Sequence, residues 1–149
     1  MKRFQFRLKS LLRYREFREQ QARQAVSNAR RALRDCEAGM ARLQGRLDDA
    51  CAACDREAAA GLSAARFLQF TRFVAGIETR REAEQARRET LLKELSACQT
   101  RLADTAVQRR SVENLKERRE SEYDQDMAKE LQKQTDEIAL MHRARKEKR

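Results

Sequence analysis

The stretch Ala58-Ala59-Ala60-Gly61-Leu62-Ser63 interrupts a chain of 149 residues that contains no proline. Glycine adopts backbone angles that other residues avoid, and serine is a favoured helix N-cap, so the stretch reads as a turn between two helices. With helix-forming sequence on both sides, the chain is expected to double back on itself. The fold class is therefore all-α, a long antiparallel two-helix coiled-coil hairpin. Arm one is expected at about 3–58, the turn at about 59–63, arm two at about 64–142 and a frayed basic tail at 143–149.

On the amino-terminal side of the turn, ten uncharged positions alternate spacings of four and three: Ala22, Val26, Ala29, Leu33, Cys36, Met40, Leu43, Leu47, Ala50 and Cys54. That is the seam of a helix burying a narrow stripe against a partner helix. Arg30, Arg34, Asp35, Arg42, Arg46 and Asp49 fall off the stripe. Nearer the start, the same register meets Glu19 and Arg15, while the apolar residues drift to Phe17, Tyr14, Leu11 and Leu8. The helix there either turns a different face inward or presents apolar residues to another molecule.

On the carboxy-terminal side, Phe67, Phe70, Val74 and Ile77 open the second stripe. It crosses Arg81, Glu84 and Arg88, which predicts a loosely packed or wetted region, and resumes at Leu91, Leu95, Cys98 and Leu102. It weakens through Thr105 and Arg109 and reappears as Val112, Leu115, Tyr123, Met127 and Leu131. A turn near residue 61 would place Leu33 near Arg88, and Leu8 near Val112 or Glu113. Seams rich in alanine and cysteine bury little apolar area, so stability should be modest.

Composition agrees with a long helical chain: 39% charged, 40% hydrophobic and 5% aromatic. No run of about 18 apolar residues suggests a membrane span, and Met1 to Arg7 lacks the apolar block of a signal peptide. A cytosolic protein is expected, with Cys36, Cys51, Cys54 and Cys98 as reduced thiols. Residues 1–35 carry a net charge of +8 and residues 143–149 one of +4, within a total of +10. A hairpin would gather Lys2, Arg3, Arg7, Lys9, Arg13, Arg15, Arg18, Arg143, Arg145, Lys146, Lys148 and Arg149 at one end. Such an end can be a solvated face, a site for nucleic acid or anionic lipid, or an insert for a negatively lined protein cavity.

No site for chemistry is visible. Cys51 and Cys54 have the spacing of a metal or redox pair, but zinc needs further ligands and the one histidine, His142, is far away. No phosphate-binding glycine loop and no nucleophile–base pair occurs. The chain is expected not to be an enzyme, to use no cofactor or metal, and to bind no small-molecule substrate. Phe67, Phe70 and Phe73 cannot all face one seam at spacings of three, so either Phe67 and Phe70 anchor the turn while Phe73 is incidental, or the set forms an aromatic ledge for a partner.

Phe4-Gln5-Phe6-Arg7-Leu8-Lys9-Ser10-Leu11-Leu12-Arg13-Tyr14-Arg15-Glu16 resembles the amino-terminal signature of the FliJ family, a small coiled-coil component of bacterial flagellar export. Val112-Glu113-Asn114-Leu115-Lys116-Glu117-Arg118-Arg119 with Glu122-Tyr123, then Gln134-Thr135-Asp136-Glu137-Ile138-Ala139, resembles its carboxy-terminal pattern. The resemblance implies a stalk similar to the central subunit of rotary ATPases and to the stalks of injectisomes. Its implied partners are the hexameric flagellar export ATPase, the membrane export gate protein and export chaperones, at the cytoplasmic face of the inner membrane. The implied ATPase-binding end is Phe4, Phe6, Arg7, Leu8, Leu11, Leu12, Arg13, Tyr14, Arg15, Arg118, Arg119 and Tyr123. The implied gate contact is the tip: Phe67, Phe70, Phe73, Val74 and Ile77. An injectisome stalk, a basic coiled coil on nucleic acid and a structural homodimer remain the other readings, although nucleic acid is not the expected partner.

Overall fold

The computed structural model describes residues 4–147, and the side chains of residues 4–141 and Arg143. The expectations for Lys2, Arg3, His142, Arg145, Lys146, Lys148 and Arg149 concern side chains outside the described residues. Two helices, α1 (Lys9–Gly61) and α2 (Ala64–Glu147), pack against each other as an antiparallel hairpin, with no strand among the described residues.

The turn is tighter than 59–63. Alanine is the best helix former, so Ala58 to Ala60 extend α1, and only Leu62 and Ser63 lie between the two helices. Gly61 ends α1 at φ +101°, the left-handed conformation of a helix C-terminus. Ser63 caps α2, because its Oγ accepts a hydrogen bond from the Arg66 N–H at 3.3 Å. Arg66 also clamps the turn, donating from Nε and Nη2 to Glu57 at 2.9 and 3.0 Å. These hydrogen bonds hold the Glu57 carboxyl below its usual range. Their contribution is present above the carboxyl's unfolded pKa and is lost as pH falls through the depressed folded value. It is small, since both groups are well exposed. A Cβ at residue 61 would meet nothing within 4 Å, so Gly61→Ala should cost about 1 kcal/mol from backbone strain alone. Chemical denaturation of the variant checks this value.

The hairpin divides into two compact units, Gln20–Ala103 and Met1–Glu19 with Asp104–Arg149. In the first, the heptad seam forms as its spacing predicts: Ala22, Val26, Cys36 and Ala50 of α1 and Ile77 of α2 are buried. Leu33, Met40, Leu43 and Leu47 are half-buried, as are Leu91, Leu95, Cys98 and Leu102. No large side chain is fully buried, so the seam gains little per residue.

The charged stretch at 81–88 does not break the register. Arg81, Glu84 and Arg88 are half-buried at the seam positions themselves, and the polar groups of Glu84 and Arg88 find partners across it. Cys36 Sγ lies 3.3 Å from Glu84 Oε2, and Arg88 Nε donates to Glu37 at 3.1 Å. Burial first, then the Glu84 hydrogen bond and negative charge, raise the Cys36 thiol above its ordinary pKa. The folded protein therefore keeps this thiol protonated up to a higher pH than the unfolded chain does. Exposed Cys51 should react with iodoacetamide at least about tenfold faster than Cys36 at pH 8, because the thiolate is the nucleophile. Site-resolved alkylation measured by mass spectrometry checks this ratio.

A candidate docking end formed by the two termini

The second unit joins the start of α1 to the later part of α2, and its seam is polar. Glu19 and Thr105 are its buried side chains, Glu19 only 4% exposed. Arg109 Nε donates to Glu19 Oε2 at 2.5 Å, while its Nη1 donates to Glu113 Oε2 at 2.6 Å. The Glu19 hydrogen bond and charge, with a smaller contribution from Glu113, raise the Arg109 pKa further. One turn earlier, Arg15 Nη1 donates to Gln108 Oε1. The two charged positions that broke the apolar pattern of α1 thus continue its seam.

Keeping Arg15 and Glu19 inward decides where the apolar residues go. A residue two positions from a seam residue lies about 200° around the helix. Phe17, between Arg15 and Glu19, therefore points away from α2 and is 59% exposed. Spacings of three turn the helix by about 300°, so Leu11, Tyr14 and Phe17 form a ridge winding from the seam edge to the back of α1. Tyr14 is 49% exposed and Leu8 and Leu11 are exposed. Leu12 is half-buried. The Arg15 and Arg18 guanidinium carbons each lie 5.9 Å from the Tyr14 ring centre, and Arg18 Nη1 donates to the Tyr14 hydroxyl at 3.1 Å. Arg7 and Arg13 are exposed, whereas Arg15 is half-buried. Of the two alternatives for this segment, α1 presents its apolar residues outward.

Arm one begins at Lys9 rather than residue 3. Before it, the chain leaves the helix, and the Phe4 ring sits 5.6 Å from that of Tyr123, tilted by 49°. This aromatic contact offsets the helical hydrogen bonds forgone. Leu8 faces Leu115 across a shallow open groove that Phe4, Phe6, Arg119 and Tyr123 also line. Leu115, rather than the expected Val112 or Glu113, lines this groove with Leu8. Arg118 is exposed and outside that groove. The structure brings Phe4, Phe6, Arg7, Leu8, Arg119 and Tyr123 together, while Leu11, Arg13 and Tyr14 lie further along α1 outside that groove.

The tip residues divide. Ile77 is 2% exposed and belongs to the core, and Phe70 and Val74 are half-buried. Phe67 and Phe73 are exposed, together with Leu68. Arg46 stands 5.5 Å over Phe73, and Arg66 stands 4.9 Å over Phe70. Phe67, Leu68 and Phe73 are the exposed apolar residues near this turn, but they lie about 100° or more apart around α2 and do not form a single ledge. Leu68 follows directly from sequence, being one position from a seam-flanking phenylalanine.

Among the described residues, no three potential metal ligands meet, and no helix is long and apolar enough to cross a membrane. The groove at this end is an open surface feature. The fold is a helical hairpin that leaves large apolar side chains exposed near its turn and along its terminal segments. The flagellar FliJ protein family model matches residues 4–148, nearly the whole chain, and the chain belongs to that family. Membership makes it a component of flagellar type III protein export. No curated protein and no solved structure matches it.

Proposed function

We propose that the unit formed by the two termini docks in the hexameric flagellar export ATPase, promoting its assembly and turnover, and that the tip meets the membrane export gate. The observation that carries this reading is the outward ridge of Leu11, Tyr14 and Phe17, flanked by exposed Arg7, Arg13 and Arg18. Aromatic residues among arginines are the side chains that dominate protein interfaces. The basic flank would steer the end toward a negatively lined ring. The chain would do no chemistry itself, acting by biasing subunit contacts, as a non-enzymatic part of the apparatus at the cytoplasmic face of the inner membrane. Engagement of export chaperones belongs to the same reading.

The test uses Arg7→Glu with Arg13→Glu, both on exposed positions. Arg15 is unsuitable, since its loss would disturb the seam beside Gln108. The double variant should keep full helicity by circular dichroism and lose at least about tenfold in its apparent affinity for the ATPase, measured as stimulation of turnover. Unchanged stimulation would remove this end from the ATPase contact. Phe73→Asp should leave that stimulation intact and weaken binding to the export gate.

A further inference from the structure

The seam of α2 does not stop where α1 does. Past Tyr123, the residues Met127, Leu131, Ile138 and Met141 recur within an arc of about 80° of the helix. Leu131, Ile138 and Met141 are 51%, 56% and 62% exposed. Phe4 lies at Tyr123 and α1 begins at Lys9, so α1 supplies nothing opposite 128–141. Among the described residues, this stripe is a heptad seam without a partner helix.

Its charge indicates the partner. Residues 124–141 carry Asp124, Asp126, Glu130, Asp136 and Glu137 against Lys129 and Lys133, a net of −3. Residues 7–18 carry five Lys/Arg against Glu16, a net of +4, around the outward ridge of Leu11, Tyr14 and Phe17. One molecule thus holds two unpartnered apolar surfaces of opposite charge, on segments that leave the same end in opposite directions. We propose that two copies of this chain associate terminal end to terminal end, the α2 extension of each lying parallel to α1 of the other. The contact is reciprocal and closes as a two-fold dimer. Each copy covers the ridge of its partner with a seam of complementary charge, so the dimer is salt-sensitive and reversible.

The test is a charge swap on the full chain, followed by sedimentation velocity. Wild type at low salt should move from 17.5 kDa toward twice that mass as concentration rises, and return to monomer in high salt. Glu130→Lys with Glu137→Lys, and separately Arg13→Glu with Arg18→Glu, should each weaken self-association at least about tenfold. Mixing the two variants restores both contacts, so the mixture should associate where neither variant does alone. Leu131→Asp with Ile138→Asp should also remain monomeric with unchanged helicity. A wild type that stays monomeric at low salt overturns the proposal. So does a dimer indifferent to the reversals, or a mixture that fails to associate. None of these readouts involves the ATPase, so they stand apart from the docking reading.

Discussion

Replacing Glu19 by alanine should lower the midpoint of thermal unfolding by about 5 °C or more, the largest loss of stability expected from a single change of one seam side chain. Glu19 is buried and receives the Arg109 Nε hydrogen bond. Without it, Arg109 keeps Glu113 but loses its partner across the helices, and its partly buried charge is left less compensated. The companion variant separates stability from specificity. Glu19→Leu with Arg109→Leu replaces the ion pair by an apolar pair at the same seam positions. Such exchanges are commonly neutral or stabilising, so the double variant should melt no lower than wild type. Calorimetry on the three proteins decides the matter. A single variant as stable as wild type would mean that the pair does not hold this part of the hairpin.

Tyr14→Asp with Phe17→Asp should have the largest functional effect, a loss of about a hundredfold or more in apparent affinity for the export ATPase. Buried aromatic anchors at interfaces typically account for about 2 kcal/mol or more each. Both side chains are well exposed in the isolated protein, so the substitutions cost only the exposed Tyr14 contacts with Arg15 and Arg18 of the same helix. Helicity and melting temperature should therefore stay at wild-type values. Titration of ATPase turnover, with calorimetry in parallel, checks both halves of the expectation. Retained affinity would exclude the ridge from the interface, and a fall in stability would show that the two rings pack within the hairpin.

The hairpin was legible because its signals are local and redundant. Gly61 and Ser63 mark the turn by backbone and capping chemistry, and Ala22 to Cys54 fix the inward face over ten consecutive positions. What periodicity could not reveal was the meaning of charges inside the pattern. Glu19 and Arg109 each read as a flaw in their own helix, because a hydrophobic count treats any charged position as outward. Only the pairing of two distant positions, which depends on the exact turn, turns two flaws into one contact. The same holds for Cys36 with Glu84 and Arg88 with Glu37, where a weak stretch of one helix meets polar groups of the other.

The site was legible in outline. Phe4, Leu8 and Tyr123 carry the resemblance and do gather around one groove, with Tyr14 further along α1. Phe17 escaped the set although its position between Arg15 and Glu19 places it outward once those two are known to face in. Ile77 entered the tip set because an apolar residue near a turn looks the same whether it faces core or solvent, and its burial follows only from where α1 passes. Leu131 was visible as seam. That it lacks an opposite helix depends on α1 starting at Lys9, which the aromatic contact of Phe4 decides and heptad spacing does not.

The central claim is that a polar seam at Arg15 and Glu19 holds an apolar ridge out for a partner. Hydroxyl-radical footprinting of dilute protein in high salt, alone and with the export ATPase, measures it side chain by side chain. Tyr14 and Phe17 should oxidise readily in the free protein, with Ile77 protected, and should become protected themselves when the ATPase is added. Tyr14 and Phe17 already shielded in the free monomer, or equally reactive with and without the ATPase, would contradict the account.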